Sequence, residues 1–125
     1  MNIGMMNLSE RKSFKKMNHN FKQGDIIEMN FNPAKGHEQQ GYRPALIISN
    51  DDYQRFMGLS IVCPITKNMK RFPTHVPLDE RTDTYGCILC EHERTVDLKE
   101  RDAKFKEKVP QDILEEVLNI VHSFY

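Results

Sequence analysis

The sequence predicts a mainly β fold with one principal α-helix: a small, strongly bent barrel packed against a C-terminal amphipathic helix. Three observations support this prediction. Several short apolar or alternating runs are separated by turn residues, as in a chain of short strands. The last segment changes to a helical period. The length of 125 residues suits a single domain with one modest core.

Six strands are expected. The first, residues 25–31, alternates apolar and polar side chains, so that one of its faces is buried. The second, residues 44–49, is almost wholly apolar, which is typical of a strand buried on both faces. Asn32 and Pro33 end the first strand, and a glycine-containing loop joins it to the second. The remaining predicted strands are residues 59–66, 75–78, 86–91 and 94–98.

Two helices are predicted. Asn50 is a suitable N-cap for a short helix that continues to about Met57. Residues 110–124 form the C-terminal helix, with Pro110 in the first turn, where its missing amide hydrogen costs little. Its apolar stripe is expected to face the core, and part of it is wide enough to meet a second subunit. The stripe consists of Ile113, Leu114, Val117, Leu118, Ile120, Val121 and Phe124.

Residues 1–23 are expected to be a flexible N-terminal leader, because they are polar and lack a sustained period. Residues 24–125 are expected to form the domain. Eighteen basic and eighteen acidic residues give a net charge of zero, so any nucleic-acid surface must be a local basic patch. The chain has neither an apolar run of the roughly 20 residues that span a membrane nor a signal-peptide core, which indicates a cytoplasmic protein.

The three cysteines, Cys63, Cys87 and Cys90, do not make a disulfide framework. A zinc site with His92 can be drawn, but residues 87 and 90 would face opposite sides of the strand predicted there. We therefore expect buried, unreactive thiols, with no metal and no cofactor.

Five segments, in order, carry a family resemblance. Together they make the chain from about Gly24 onward similar to the MazF/PemK/Kid family of bacterial toxins. The segments are Gly24-Asp25-Ile26, Asn32-Pro33 followed by Gly36-His37-Glu38-Gln39-Gln40-Gly41, then Arg43-Pro44-Ala45, Pro64-Ile65-Thr66, and Arg94-Thr95-Val96-Asp97-Leu98.

The resemblance implies an SH3-like small β-barrel of the plasmid-maintenance-toxin type that forms a homodimer. It also implies metal-independent, sequence-specific cleavage of single-stranded mRNA and inhibition by a cognate antitoxin. A DNA operator would be contacted only through that antitoxin. The family's catalytic residues fall on Arg43, Thr66, Glu38 and His37.

Metal-free RNA cleavage needs a base for the 2′-OH proton, an acid for the leaving 5′-oxygen, and donors for the charged phosphorane. The planar fork of Arg43 matches phosphate oxygens, but its permanent charge makes it a poor base. Thr66 offers a neutral hydroxyl donor. His37 titrates in a useful range and Glu38 can share proton transfer, so either is a candidate proton acceptor.

RNA binding is expected from the first long loop, through Gln39 and Gln40, and from the basic loop that follows Thr66. Tyr42 and Phe72 are candidates for base stacking, whereas core packing is at least as good an explanation for Phe56. Leu89 stands where some family members have arginine, and Glu91, placed on the same strand face, is expected to contact a base instead. The basic-loop candidates are Lys67, Asn68, Lys70 and Arg71.

The rival hypothesis is a non-enzymatic barrel that binds a partner peptide or a gyrase-like target. Arg43 and Thr66 beside a basic loop argue against it, because a peptide-binding barrel has no need of a phosphate-binding pair. A metal hydrolase is a weaker alternative, since no cluster of histidines and carboxylates has ligand spacing.

Overall fold

The computed structural model describes Asn7, residues 21–32 and residues 41–125. This part of the chain contains seven strands and two α-helices, so the predicted mainly β class with a C-terminal helix is confirmed. The strands are β1 (Asp25–Asn30), β2 (Tyr42–Ile47), β3 (Ser60–Thr66), β4 (His75–Pro77), β5 (Cys87–Leu89), β6 (Arg94–Val96) and β7 (Lys104–Lys108). The helices are α1 (Asp51–Met57) and α2 (Gln111–His122), and a 3-10 turn, Cys90–His92, joins β5 to β6.

The strands form one antiparallel sheet in the order β4-β5-β3-β2-β1-β7. The long strand β3 is its centre. One edge of β3 pairs with β2, and the other edge pairs with β6 along its first half and with β5 along its second. The sheet bends where β3 passes from one partner to the other. Within the described residues no ladder joins β4 to β7, so the barrel is open on that side.

Two apolar clusters lie on the two faces of this bent sheet. The cluster under α2 includes Ile26, Leu46 and Val117, and the opposite cluster includes Ala45 and Ile47. Successive residues of β2 therefore enter different clusters, which confirms the expectation of a strand buried on both faces. Burying two such layers supplies most of the driving force for folding.

The first helix, α1, begins where the sequence predicted, and α2 begins at Gln111, one residue later than predicted, with Pro110 at its N-cap. The side chain of Asn50 accepts a hydrogen bond from the backbone amide of Tyr53 at 2.8 Å and so caps α1. In α2 the apolar stripe packs on the sheet, but the helix ends at His122, and Phe124 beyond it is 42% exposed. The prediction that Phe124 belongs to the buried stripe was therefore wrong. The buried positions of α2 are Ile113, Leu114, Val117 and Val121.

The predicted strand of residues 86–91 stops at Leu89, because the chain there turns to bring β6 onto β3. The backbone amide of Cys90 donates to the carbonyl of Thr74 at 3.2 Å at the start of this turn. Glu91 therefore lies on a 3-10 turn, and its predicted place on the strand face was wrong. The opposite-face argument for Cys87 and Cys90 fails for the same reason, although both side chains are buried.

Strand β7 was not predicted. Its sequence is polar at four of five positions, and it forms the outer strand beside β1. Glu107 of β7 reaches across the open side of the barrel to the loop between β4 and β5. Its carboxylate accepts from the backbone amides of Asp83 at 3.1 Å and Thr84 at 2.8 Å, and from the Thr84 hydroxyl at 2.7 Å. We call these three contacts the Glu107 clasp.

Across the described ranges, no helix has both the length and the apolar character needed to cross a membrane.

Candidate active site

A cavity of about 570 Å³ opens where β2 begins, β3 ends and the 3-10 turn passes. Its walls combine cations, a carboxylate, histidines and apolar side chains. The lining residues are Arg43, Pro44, Pro64, Ile65, Thr66, Lys67, Asn68, Lys70, Phe72, His75, Leu89, Glu91 and His92.

The sheet register brings Arg43 and Thr66 to the same cavity. The antiparallel pairing of β2 with β3 matches Ala45 with Pro64, and two further steps in that register bring Arg43 opposite Thr66. Pro44 and Pro64 have no amide hydrogen to donate, so neither can give a ladder bond at this end of the two strands. The β2–β3 hydrogen-bond ladder ends here, and the side chains beyond it line the cavity.

The loop after β3 is shaped by side chains that bond to backbone. The Thr66 hydroxyl oxygen accepts from the amide of Asn68 at 3.2 Å, and the Asn68 side chain accepts from the amide of Lys70 at 3.0 Å. These local turns hold the cations Lys67 and Lys70 at the cavity wall. Because a hydroxyl keeps its own proton while accepting, the Thr66 O–H remains able to donate to a substrate oxygen.

Gly86 allows the other wall to approach. Its φ is 138°, and a Cβ atom at this position would lie 2.2 Å from the carbonyl oxygen of Thr66. No side chain fits at that distance, so β5 can pair with the end of β3 only because residue 86 is glycine. The spacing between Thr66 and the β5 wall therefore depends on this residue.

A histidine–carboxylate pair forms the back of the cavity. Nε2 of His75 lies 2.8 Å from one carboxylate oxygen of Glu91, and the Thr74 hydroxyl donates to the other oxygen at 2.9 Å. Burial would raise the pKa of the Glu91 carboxyl. Hydrogen bonds from its own amide, His75 and Thr74 outweigh that effect and hold the pKa below its usual range.

The other His75 ring nitrogen, Nδ1, lies 3.1 Å from the carbonyl oxygen of Lys70. The ring also meets Phe72 edge-on, with 5.1 Å between centroids, and Nζ of Lys70 lies 5.3 Å from the centre of the Phe72 ring. Phe72 itself is half exposed, which is compatible with the expected base stacking. The basic loop, the Phe72 ring and the carboxylate are thus joined through one imidazole.

The structure brings together most of the predicted side chains that it describes. Arg43, Thr66, Lys67, Asn68, Lys70 and Glu91 all line the cavity. Arg71 lies beside a separate cavity of about 100 Å³. The Tyr42 hydroxyl donates to the carbonyl of Asp102 at 2.7 Å, and Tyr42 is not among the lining residues. Burial first, then the charges of Asp102 and Glu28, raises the Tyr42 pKa.

Four predicted residues, His37, Glu38, Gln39 and Gln40, lie outside the described residues. The two ends of the loop that carries them are described. The amide of Phe31 donates to the carbonyl of Gly41 at 2.9 Å, and the amide of Gly41 donates to the Asn32 side chain at 3.1 Å. The described ends of this loop are therefore close to the two strands: Asn32 is two residues after the end of β1, and Gly41 is one residue before β2 and two before Arg43.

Comparison with known proteins gives a consistent result. Residues 22–125 match the family model described as PemK-like, MazF-like toxin of type II toxin-antitoxin system. The chain belongs to this toxin family. The endoribonuclease PemK of Escherichia coli is 39% identical over 99 residues, which are 76% of this chain and 74% of the relative. The endoribonuclease toxin ChpB of Escherichia coli (strain K12) is 40% identical over 103 residues, covering 78% and 88%.

Solved structures agree with this family assignment. The crystal structure of MazF from Deinococcus radiodurans has a TM-score of 0.78 and 34% identity, and covers 86% of this chain and 97% of its own. A chain of the MazE–MazF complex from the same organism has a TM-score of 0.73 and 30% identity, with 86% and 96% covered. The predicted family and fold class are therefore confirmed.

In this MazF-like toxin, three residues that are not among the predicted site residues lie in or beside the cavity wall. Leu89, which stands where some members have arginine, is buried in the wall. His75 and Thr74, which the sequence did not single out, hold the carboxylate of Glu91. The available signal was weak: a histidine at the start of a three-residue strand, sixteen positions before the carboxylate it contacts.

The three thiols of this toxin are free and buried. Burial, and next the neighbouring Cys90, raises the pKa of Cys63 far above its usual range. Burial is also the largest cause that raises the pKa of Cys90, to about 12. Over the described ranges, no three histidines, cysteines or carboxylates are grouped so that they could hold a metal ion.

Proposed function

We propose that this chain is the toxin of a type II toxin–antitoxin system and acts as a metal-independent, sequence-specific endoribonuclease on single-stranded mRNA. Cleavage would inhibit translation and growth. The observation that carries the proposal is the convergence of Arg43, Thr66 and the basic loop on one cavity of about 570 Å³. Relatives that are about 40% identical are endoribonucleases, and their likeness extends over most of the chain.

The chemistry begins with attack of the 2′-oxygen of RNA on the adjacent phosphorus. The new O2′–P bond forms as the P–O5′ bond breaks, which gives a 2′,3′-cyclic phosphate (or, after hydrolysis, a 3′-phosphate) and a 5′-OH end. The 2′-OH proton passes to a protein acceptor, and the leaving 5′-oxygen gains a proton. Between these states the phosphorane carries additional negative charge, which preorganised donors stabilise.

Arg43 and Thr66 supply those donors in the proposal. The exposed guanidinium of Arg43 offers a fork of N–H groups that fits two phosphate oxygens. The Thr66 hydroxyl already accepts from Asn68, so its proton is directed elsewhere and can reach a third oxygen. His37 and Glu38 remain the candidate proton acceptors, carried by the loop whose two ends are held beside Arg43.

The proposed partners follow from the same family. Structures of MazE–MazF complexes are among the neighbours, and we propose that a cognate antitoxin binds this chain as well. We also propose that the toxin is a homodimer, that it reaches an operator DNA only through its antitoxin, and that it acts in the cytoplasm, where its mRNA substrate is translated.

The test uses purified protein, a defined single-stranded RNA and a chelator of divalent ions. We expect wild-type protein to cut at a few fixed sites and to leave 5′-OH ends. Arg43→Ala should lower kcat by about 10²- to 10³-fold, because such donors act mainly on the transition state. Arg43→Lys should remain severely impaired, since an ammonium keeps the charge but loses the fork.

The matched control is Arg55→Ala, which removes an exposed arginine of α1 outside the cavity and should cleave normally. RNA that stays intact with wild-type protein, with and without the chelator, would contradict the enzymatic proposal and favour the non-enzymatic barrel. Cleavage that survives Arg43→Ala would leave an endoribonuclease but remove Arg43 from its chemistry.

A further inference from the structure

His75 has no role in the proposed cleavage steps, although it lies in the wall of the same cavity. Its side chain is only 12% exposed, and both of its ring nitrogens contact oxygen atoms. A neutral imidazole has one N–H and therefore donates to only one acceptor. The Lys70 carbonyl and the ionised Glu91 carboxylate are both acceptors, so the two contacts are satisfied together only when the ring carries both protons.

The Glu91 carboxylate is fixed at both of its oxygens. The Thr74 hydroxyl holds Oε1 at 2.9 Å and His75 holds Oε2 at 2.8 Å, while Nε2 of His92 lies 3.7 Å from Oε2. A carboxylate held in this way keeps unused lone pairs, and its side chain is 37% exposed at the cavity. It can only accept hydrogen bonds, so the group it meets in RNA must be a donor.

We propose that His75 is a positioning residue: it fixes the Glu91 carboxylate at the cavity as an acceptor for a donor group of the RNA. The same ring ties that carboxylate to the basic loop through the carbonyl of Lys70. The proposal rests on the proposed endoribonuclease function and deepens it, because it assigns a hydrogen-bonding role within the same site. The donor is either the amino group of a base or a ribose hydroxyl.

Two amide variants separate the two contacts of the ring. In His75→Gln the side-chain nitrogen takes the place of Nε2 and can still donate to Glu91. In His75→Asn it takes the place of Nδ1 and can donate only to the Lys70 carbonyl. We expect His75→Gln to cleave within about threefold of wild type and His75→Asn to lose at least about tenfold in kcat/KM, the range of a hydrogen bond to a charged group.

Each amide variant is the folding control of the other, since both place a similar polar side chain at the same site. His122→Asn, at the exposed end of α2, is the control for loss of a histidine elsewhere. The double variant His75→Asn with Glu91→Gln should be no worse than Glu91→Gln alone, because the histidine acts through the carboxylate. Equal losses in the two amide variants, or additive losses in the double variant, would overturn the proposal.

Substrate variants identify the donor. Replacing each 2′-OH near the cut site in turn, other than the attacking one, tests the ribose, and replacing amino-bearing bases by inosine or uridine tests the base edge. One of these changes should lower kcat/KM as much as Glu91→Gln does, and should cause no further loss in the Glu91→Gln protein.

If wild-type protein cuts no RNA, the proposed endoribonuclease function and the positioning role of His75 both fail. If wild-type protein cuts RNA but none of the substrate changes is non-additive with Glu91→Gln, only the proposed role of His75 and Glu91 fails.

Discussion

Gly86 shows how one residue sets the distance between two walls of the cavity. The ideal Cβ position at residue 86 would lie 2.2 Å from the backbone oxygen of Thr66, which belongs to another strand and cannot rotate away as a side-chain tip can. Its φ of 138° is in a region that L residues rarely occupy. Steric room and backbone conformation therefore both require glycine here.

We expect Gly86→Ala to destabilise the protein by about 2 to 4 kcal/mol, because a forced φ costs roughly 1 to 3 kcal/mol and the clash adds to it. Thermal or urea unfolding measures the loss. Gly41→Ala is the matched control, since its φ is also positive, at 80°, but no atom lies within 4 Å of the added Cβ. Similar losses in the two variants would show that backbone strain alone, and not the close approach to Thr66, matters.

Among single residues, the family motifs in the sequence pointed to Arg43 and Thr66, and the register explains why both line one cavity. The same motifs did not predict His75. Its proposed role depends on the contact with Glu91, sixteen residues later, and on the turn that begins at Cys90. Neither can be inferred from local periodicity, since both follow from how β5 and β6 share one edge of β3.

Among the elements, β7 is the strand that the sequence analysis did not predict. Lys104–Lys108 has four charged side chains and one exposed aromatic, Phe105, so its sequence resembles that of a loop. It is a strand because it pairs with β1, and Glu107 joins it to the β4–β5 loop through the three contacts of the clasp. By contrast, β2 was predictable because burial on both faces makes it continuously apolar, and α2 because burial on one face gives it a helical period. The alternation of Ile27, Met29 and Phe31 was enough to predict β1.

Glu107→Gln should lower the free energy of unfolding at neutral pH by about 1 to 2 kcal/mol, since a carboxylate acceptor is replaced by a weaker neutral one. Burial would raise the Glu107 pKa. Hydrogen bonds from the Thr84 hydroxyl and from the Asp83 and Thr84 amides outweigh it, so the folded-state pKa lies below its ordinary value of 4.5.

The sign of the pH dependence follows from that lowered pKa. The contribution of Glu107 to stability is fully present above pH 4.5 and is lost as the pH falls through the folded-state value. The difference in the free energy of unfolding between wild type and Glu107→Gln should therefore disappear at low pH. Glu100 is an exposed glutamate between β6 and β7, so Glu100→Gln should have the same free energy of unfolding as wild type at neutral pH. If Glu107→Gln remains less stable than wild type at low pH, the Glu107 clasp is not the cause of the difference.

For the whole molecule, equal numbers of acidic and basic residues conceal an uneven distribution. Three permanent cations, Arg43, Lys67 and Lys70, line the cavity, which has Glu91 as its single carboxylate among the described residues. Overall charge therefore gives no long-range attraction for RNA, and the local patch must supply it. Composition alone could not reveal this, because the patch is assembled from the start of β2 and the loop after β3.

Binding of a non-cleavable RNA, with a 2′-deoxy sugar at the cut site, should weaken with salt. Contacts to about three phosphates give a slope near −2 in a plot of log K against log salt concentration, at about 0.7 per contact for a single strand. Lys67→Ala should reduce the magnitude of the slope by about 0.7. Lys99→Ala, exposed and outside the cavity, should leave the slope unchanged. Equal effects of the two substitutions would show that the RNA does not follow the basic loop.

The position of β1 between β2 and β7 has a consequence for how the protein is made. The Lys108–Asp25 ion pair, 2.9 Å long, joins positions 83 residues apart, and the partners in the register of β1 with β7 lie 76 to 83 residues apart. A ribosome has therefore already translated every described residue of the cavity wall before β1 can gain its second neighbour. Contacts between such distant residues form late and slowly. During synthesis, the nascent chain carries the residues of a nuclease well before it has the folded frame that holds them together.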